Sequence, residues 1–468
     1  MTANSTEIGT DNASHSYPDS LEATRLEPPS YRDILRFAIP VLFGFITTAI
    51  ITLVDTLFIG QLGTAQLAAV PLAAFVYLIG WLLLAGILQS SVVFMARAFG
   101  AKEYHKIGPI LAHYQILALL GFPLLYLFIQ SWPLFSTIAT LDTTVDSYAS
   151  LYLEIRVWDA AFSLLLMLYS TFYISLGNSR FPMLVAVCVL LLNVVLDYGL
   201  IFGNLGMPAL GVAGSAYASV FAQAFGAFII VTTAFFGPTT ARYGLRVFKR
   251  PDLNLLKHIL RIGLPKGLAE FLEVLMWVGF MLIAAQLGTV PLAANNIGMQ
   301  ITQLFYLASE ALGAAASSYM GRFLGANRPD IARTTTYRIL IVGITYLGVL
   351  GIPLWLFGET IARWFTANEA VVYQAGLMFK VIALQQIFDG INLILRLALA
   401  GAGDTLIPTL FLAGGAVVVM FPAAILLSQL IEPGLIGAWL GMLIYIVILV
   451  VMLMYRYKSD KWTTIFSR

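Results

Sequence analysis

Leu35-Arg36-Phe37-Ala38-Ile39-Pro40 and Leu260-Arg261-Ile262-Gly263-Leu264-Pro265 are one phrase written twice. The second copy lies 225 positions after the first (35 to 260), and the register continues without a gap. Gln61-Leu62-Gly63-Thr64 falls on Gln286-Leu287-Gly288-Thr289, and Leu67-Ala68-Ala69 on Leu292-Ala293-Ala294. Arg97 with Gly100-Ala101 falls on Arg322 with Gly325-Ala326. Further on the offset becomes 226 (177 to 403), placing Gly177 and Pro182 on Gly403 and Pro408, and Gly211 on Gly437. The acids break this pattern: Asp55 falls on Phe280, while Asn193 and Asp197 fall on Val419 and Ala423. The fold is a duplication, and function should reside in what was not duplicated.

The repeated unit is built for a bilayer. The 468 residues are 60% hydrophobic and 11% charged, with a mean hydropathy of +0.88. Apolar stretches of about 20 residues recur, the length a helix needs to cross the hydrocarbon layer. They are continuous rather than alternating, which excludes an outer-membrane barrel and leaves helices. Twelve spans are expected, near 33–61, 67–96, 107–130, 148–176, 182–203, 211–236, 257–286, 291–321, 331–357, 371–400, 405–429 and 434–456.

The expected fold is therefore an all-α polytopic membrane protein with 12 transmembrane helices. Each repeat holds six spans, so both begin on the same side, and a pseudo-twofold axis along the membrane normal should relate two six-helix lobes. The N-lobe would cover 31–236 and the C-lobe 257–456, joined by a basic cytoplasmic linker at 237–256. Residues 1–30 read as a polar, mostly acidic, disordered tail with no cleavable signal peptide, and 457–468 as a second cytoplasmic tail.

Charge placement orients the chain. Arg97, Lys102, Lys106, Arg180, Arg242, Arg246, Lys249, Arg250, Arg322, Arg328, Arg333, Arg456, Lys458 and Lys461 fall on the turns after even-numbered spans and on the C-terminus. The turns after odd-numbered spans hold only Arg363. Basic loops stay inside, so both termini should be cytoplasmic in a multi-pass protein of the cell inner membrane. The single cysteine, Cys188, lies within a span, so no intramolecular disulfide is expected.

Carboxylates inside spans are costly and mark functional sites by default. Asp55 lies six residues before Gln61, about 9 Å from the outer end of span 1 at 1.5 Å per residue. Asp197 lies at nearly the same depth on span 5, and Asn193 sits one turn away on its face. Two carboxylates in a dry pocket cannot both ionise cheaply, so the pair is suited to carrying a proton. The same oxygens are equally suited to Na+, and sequence leaves H+ and Na+ both open.

The second repeat carries acids elsewhere: Glu270 and Glu273 on span 7, Glu310 on span 8 and Asp389 on span 10. Glu273 and Asp389 are expected to face the cleft as a second cation or substrate-contacting site. Glu270 reads equally well as structural. Lys266, Arg396 and Lys380 are near enough in the chain to neutralise part of this charge. Pro40, fifteen residues before Asp55, permits a hinge; Pro265 holds the duplicated place with no aspartate after it, so plain helix punctuation stands beside that reading.

No HExxH, CxxC, GxSxG, P-loop or dinucleotide fingerprint occurs, and no histidine lies deep in a span. No enzyme activity and no cofactor are expected, and energy should come from an ion gradient or the substrate's own. The basic loops are topology determinants rather than a nucleic-acid site.

The motifs resemble those of the multidrug and toxic compound extrusion (MATE) family over about 31–456. The carriers are Val54-Asp55-Thr56-Leu57-Phe58-Ile59-Gly60 with Leu62-Gly63, Tyr152-Leu153 with Ile155-Arg156, and Leu192-Asn193-Val194-Val195-Leu196-Asp197. Leu210-Gly211-Val212-Ala213-Gly214 and Gly401-Ala402-Gly403-Asp404-Thr405 complete the set. The resemblance implies a monomeric multidrug antiporter that exports organic, often cationic and amphipathic compounds in exchange for H+ or Na+ by alternating access. It implies a cation site at Asp55, Asn193, Asp197 and the span 6 hydroxyl of Ser219, and helix bending at Pro40. Phe271-Leu272-Glu273-Val274 and Gln386-Ile387-Phe388-Asp389 resemble the NorM branch, whereas Asp197 is commoner in the DinF-like branch. Asn295-Asn296 and Glu310 depart from the NorM pattern.

Alternatives remain. A lipid-linked-precursor flippase of the same superfamily would want a cleft rich in arginine. A channel or receptor would have little use for buried titratable pairs or a duplicated lobe.

Overall fold

The computed structural model describes residues 27–237, 239–245 and 251–465. Most of the tail expected over 1–30, residues 238 and 246–250 of the linker, and the last three residues lie outside the described residues.

Twelve helical passes follow one another: α1 (Tyr31–Gly60), α2 (Thr64–Gly100), α3 (Tyr104–Ile138), α4 (Thr143–Arg156 with Asp159–Ser175), α5 (Arg180–Phe202), α6 (Val212–Phe236), α7 (Leu253–Gln286), α8 (Thr289–Gly325), α9 (Pro329–Leu356), α10 (Glu369–Gly401), α11 (Leu406–Leu430) and α12 (Gly434–Lys458). Ten of these are long and apolar enough to cross a membrane by themselves, and the two halves of α4, bent by 51°, make an eleventh together. α8 is 37 residues long, but Asn295, Asn296, Gln300, Gln303 and Glu310 dilute its apolar character. No strand occurs among the described residues.

Local chemistry sets several boundaries. Ser30 caps α1 in a reciprocal box, accepting from Asp33 N at 3.2 Å while its own N–H donates to the Asp33 carboxylate at 3.2 Å. Asn368 caps α10 by accepting from Ala370 N at 3.0 Å. The turns closing α4 and α10 keep the duplication in their backbone: Gly177 has φ +91° and its counterpart Gly403 has φ +92°, a conformation that favours glycine.

Packing repeats as the sequence does. In the first lobe α1 packs on α5, α2 on α4, α3 on α4, α4 on α6 and α5 on α6. In the second, α7 packs on α11, α8 on α10, α9 on α10, α10 on α12 and α11 on α12. Adding six to each label turns one set into the other. Between the lobes, α1 meets α8 and α7 meets α2, again exchanged by the same operation. This is the expected two-lobe fold with its pseudo-twofold axis.

The lobes touch through the halves of their helices near the basic turns. Phe37 of α1 packs on Tyr319 of α8 with ring centroids 5.4 Å apart. Gly86 of α2 lies so close to α7 that a Cβ there would stand 2.7 Å from Gly267 Cα. Arg322 of α8, 5% exposed, crosses into the first lobe and donates to the carbonyls of Ile174 and Ser175 at 3.1 Å each. These contacts close the basic end.

Candidate cation sites in the two lobes

In the first lobe, α5 buries one face bearing Val185, Val189, Asn193, Asp197 and Ile201, a four-residue spacing that brings Asn193 and Asp197 one above the other. Asn193 is 1% exposed, Asp197 0% and Ser219 of α6 3%. α1 packs on α5 and brings Asp55 against this face, near enough for its carboxyl and that of Asp197 to interact. Asp55 Oδ1, both oxygens of Asp197, both amide atoms of Asn193, Ser219 Oγ and Ser215 Oγ are buried without a hydrogen-bond partner among the described residues. Buried polar atoms are ordinarily satisfied, so this concentration of unpartnered polar atoms, most of them oxygens, marks a place for a cation or water. Two carboxyls in contact must share a proton or a cation, because two bare anions there would repel strongly.

A second polar group flanks the acids. One turn outward from them, Ile59 and Ile201 share an apolar cluster with Tyr77, Tyr152, Leu153 and Val212. Arg156 and Asp159 border the bend in α4. Tyr77 donates to Asp159 Oδ2 at 2.8 Å, and Trp81 Nε1 donates to Ser163 Oγ at 3.0 Å. Arg156 Nη1 stands 3.7 Å from Asp159 Oδ1, with its guanidinium carbon 5.3 Å from the Tyr77 ring centroid. Arg156 also acts electrostatically on Asp55 and Asp197. Spans 1 and 5 hold no base at this depth, but α4 supplies one from the side. Sequence reading used Arg156 only as a motif residue and passed over Asp159. The available signal was three charges, Glu154, Arg156 and Asp159, inside one predicted span.

In the second lobe three polar stripes converge: Lys266, Glu270 and Glu273 on α7; Tyr306 and Glu310 on α8; Gln385, Asp389, Asn392 and Arg396 on α10. Lys266 Nζ lies 3.2 Å from Glu270 Oε1, and Arg396 Nη2 lies 2.6 Å from Glu273 Oε2. Asn392 Nδ2 donates to Asp389 Oδ1 at 3.2 Å. Glu270 and Glu273, 16% and 18% exposed, face the same interior as Lys266 and Arg396, each 7% exposed. The structure thus places Glu273, Asp389, Glu310 and Glu270 in one electrostatic network, with the neutralising roles of Lys266 and Arg396 realised. Pro40 lies buried inside an unbroken α1. Around its counterpart Pro265, the Thr405 hydroxyl donates to Ile262 O at 2.8 Å and the Thr409 hydroxyl to Pro265 O at 3.0 Å. Among the described residues no group of three or more His, Cys, Asp and Glu side chains is arranged to hold a metal ion.

Two pseudo-symmetric helical lobes, joined at one end and each enclosing buried charge, define a polytopic membrane transporter. The family model MatE matches residues 40–199 and 265–426, one match in each repeat. The chain belongs to the MatE family, whose members are transporters and not enzymes. It is 26% identical over 440 residues to a probable multidrug resistance protein NorM of Thermotoga maritima, covering 93% of this chain and 94% of that one. It is 30% identical over 397 residues to a probable multidrug resistance protein NorM of Aromatoleum aromaticum, covering 81% and 82%. In fold it resembles a MOP superfamily transporter from Pyrococcus furiosus, with TM-score 0.84 and 20% identity over 94% of this chain and 97% of the other. The Vibrio cholerae MATE transporter VcmN in its bent form gives TM-score 0.84 at 19% identity, over 93% and 98%.

Proposed function

We propose that this protein is a multidrug efflux antiporter of the cell inner membrane. It exports organic, amphipathic, often cationic compounds in exchange for inward H+ or Na+. The observation that carries this reading is the pairing of two buried carboxyls, Asp55 and Asp197, of which Asp55 Oδ1 and both Asp197 oxygens have no hydrogen-bond partner among the described residues. Such a pair holds one cation tightly and releases it only when its surroundings change. The names of the relatives from Thermotoga maritima and Aromatoleum aromaticum support the substrate class.

With the basic end cytoplasmic, as the positive-inside rule requires, both termini are inside and the lobes are closed at the cytoplasmic end, which suits an outward-open state. In that state Asp55, Asn193, Asp197 and Ser219 take up the cation, drug binding weakens, and the drug leaves. Rocking of the lobes about the closed end then exposes the sites to the cytoplasm. Each net charge carried inward across 100 mV supplies about 2.3 kcal/mol, enough for a roughly fifty-fold gradient, so a monovalent cationic drug needs more than one coupling ion to draw on the potential. The protein works as a monomer, since each lobe pair encloses its own cleft.

The test is dye efflux from vesicles carrying the protein, with H+ and Na+ gradients imposed separately. Efflux driven by a pH gradient without sodium assigns a shared proton to Asp55 and Asp197, and efflux that requires sodium makes them ligands. Transport indifferent to both gradients would refute antiport.

A further inference from the structure

His113 and Arg338 hold equivalent places in the duplication, 225 positions apart (113 to 338), and they play the same part with different chemistry. Arg338 of α9, in the second lobe, reaches the segment that leads into α1. Its Nη1 donates to Pro28 O at 3.0 Å and to Pro29 O at 2.8 Å. His113 of α3, in the first lobe, reaches the segment that leads into α7, where its Nε2 accepts from Asp252 N at 2.8 Å. Asp252 is the counterpart of Glu27, the neighbour of Pro28. Each lobe thus grips the backbone at the start of the other lobe's first helix, at the basic end where the lobes are closed.

The two grips differ in what acid does to them. A guanidinium keeps its charge and only donates, so the Arg338 tie is independent of pH. His113 accepts, and a histidine accepts only while neutral. Its Nδ1 lies 2.7 Å from Pro109 O; a carbonyl cannot donate, so the ring proton sits on Nδ1 and the lone pair of Nε2 faces Asp252 N. A second proton, on Nε2, would set two donors against each other. The carboxylate at hand is that of Asp252, whose Oδ1 caps α7 by accepting from Asn254 N at 2.8 Å and Leu255 N at 3.4 Å. An imidazolium would draw it off the helix end, so α7 would lose its cap along with its tie.

The elements around this stretch of α3 bring other groups. α2 and α4 pack on it, turning Ser90 to Tyr114 and Tyr169 to Gln115. The short helix Thr239–Tyr243 holds Arg242 4.8 Å from the Tyr104 ring centroid. Glu103 and Lys106 pair with each other at 2.7 Å. The first turns of α7 carry Lys257, His258 and Arg261. His258 and the exposed His105 also change charge near neutrality, and both are retained in every variant below.

We propose that His113 is the pH-sensitive half of a two-point latch across the lobes. Acid on the basic side protonates its ring and frees the start of α7 from α3, while the Arg338 tie stays. His113 is 6% exposed, but Asp252 is at the surface, so the proton has a short path. The inference goes beyond the export reading and borrows from it only the rocking of the lobes: opening of the basic end is eased by acid on the side it opens to.

The experiment uses the full chain with Cys188→Ser, which removes its single cysteine. Nitroxide spin labels are attached at Lys106→Cys and Asn254→Cys, both exposed, at the starts of α3 and α7. Label-to-label distances are measured in lipid nanodiscs by double electron–electron resonance at about pH 7.5 and about pH 5.5, on either side of the range in which histidine changes charge. The separated population should grow about five-fold in acid, the factor one neutral hydrogen bond contributes. His113→Gln, whose side-chain oxygen accepts without titrating, should show one distribution at both values. A His113 protein that ignores pH overturns the latch, and so does an equal acid shift in His113→Gln. Where His113→Gln does not reach the membrane, His113→Ala decides: it should be separated at both values, and an acid shift as large as that of the His113 protein overturns the proposal. The distances do not depend on transport, so the latch and the export reading stand or fall separately.

Discussion

Gly100 lies against the backbone of Arg322, so close that a Cβ on it would stand 1.9 Å from the arginine's carbonyl oxygen. The duplicated pair shows the same relationship: a Cβ on Gly325 would stand 2.0 Å from Arg97 O. Two arginines and two glycines, equivalent in the repeats, thus form a reciprocal crossing of α2 and α8 where the lobes close. No side chain fits at either glycine without moving backbone.

Gly100→Ala should therefore force the basic ends of α2 and α8 apart. Overpacking of this kind costs about 1–3 kcal/mol, charged to the closed state alone. The expected result is efflux reduced by about ten-fold or more, and Gly325→Ala should match it. Thermal melting in detergent alongside dye efflux checks this; wild-type efflux in either variant would show that the crossing opens without resistance.

Arg322→Ala removes the donors that reach Ile174 O, Ser175 O and Ser318 Oγ, each at 3.1 Å. Hydrogen bonds from a charged group contribute about 1.5–3 kcal/mol. Ser175, fully buried beneath this contact, becomes the reporter. In a Ser175→Cys background, membrane-impermeant maleimide should label the Arg322→Ala protein several-fold faster than protein that keeps the arginine, and equal rates would mean that Arg322 does not hold the end shut.

Asp55→Asn should abolish ion-driven efflux while leaving the protein folded, because an amide hydrogen-bonds to Asp197 without a shared cation. Asp197→Asn should do the same from the other side. Normal efflux by either variant, at wild-type abundance in the membrane, would remove the first-lobe pair from the mechanism.

Glu273→Gln leaves Arg396 buried without its counter-charge. Breaking a buried pair costs about 3–5 kcal/mol, whereas the Glu273→Gln/Arg396→Gln double variant loses both charges together. The double variant should melt above the sum of the single effects, with a coupling of about 1 kcal/mol or more. Strictly additive melting temperatures would mean that the pair contributes nothing to folding.

The duplication, the twelve passes and the buried acids were all legible in the chain, because each is a local property. A span is a length of apolar residues, a repeat is a register, and an aspartate in an apolar run stands out wherever the chain goes. Lys266 and Glu270 were nearly legible as well, being one helical turn apart. What tertiary structure decided is how distant residues meet. Arg156 reaches the Asp55–Asp197 pair from α4, Glu273 finds Arg396 across the second lobe, and Gly100 presses on Arg322 from the opposite repeat. No periodicity encodes these meetings, since helices in a bilayer associate through packing and polar contacts rather than a hydrophobic drive readable in sequence.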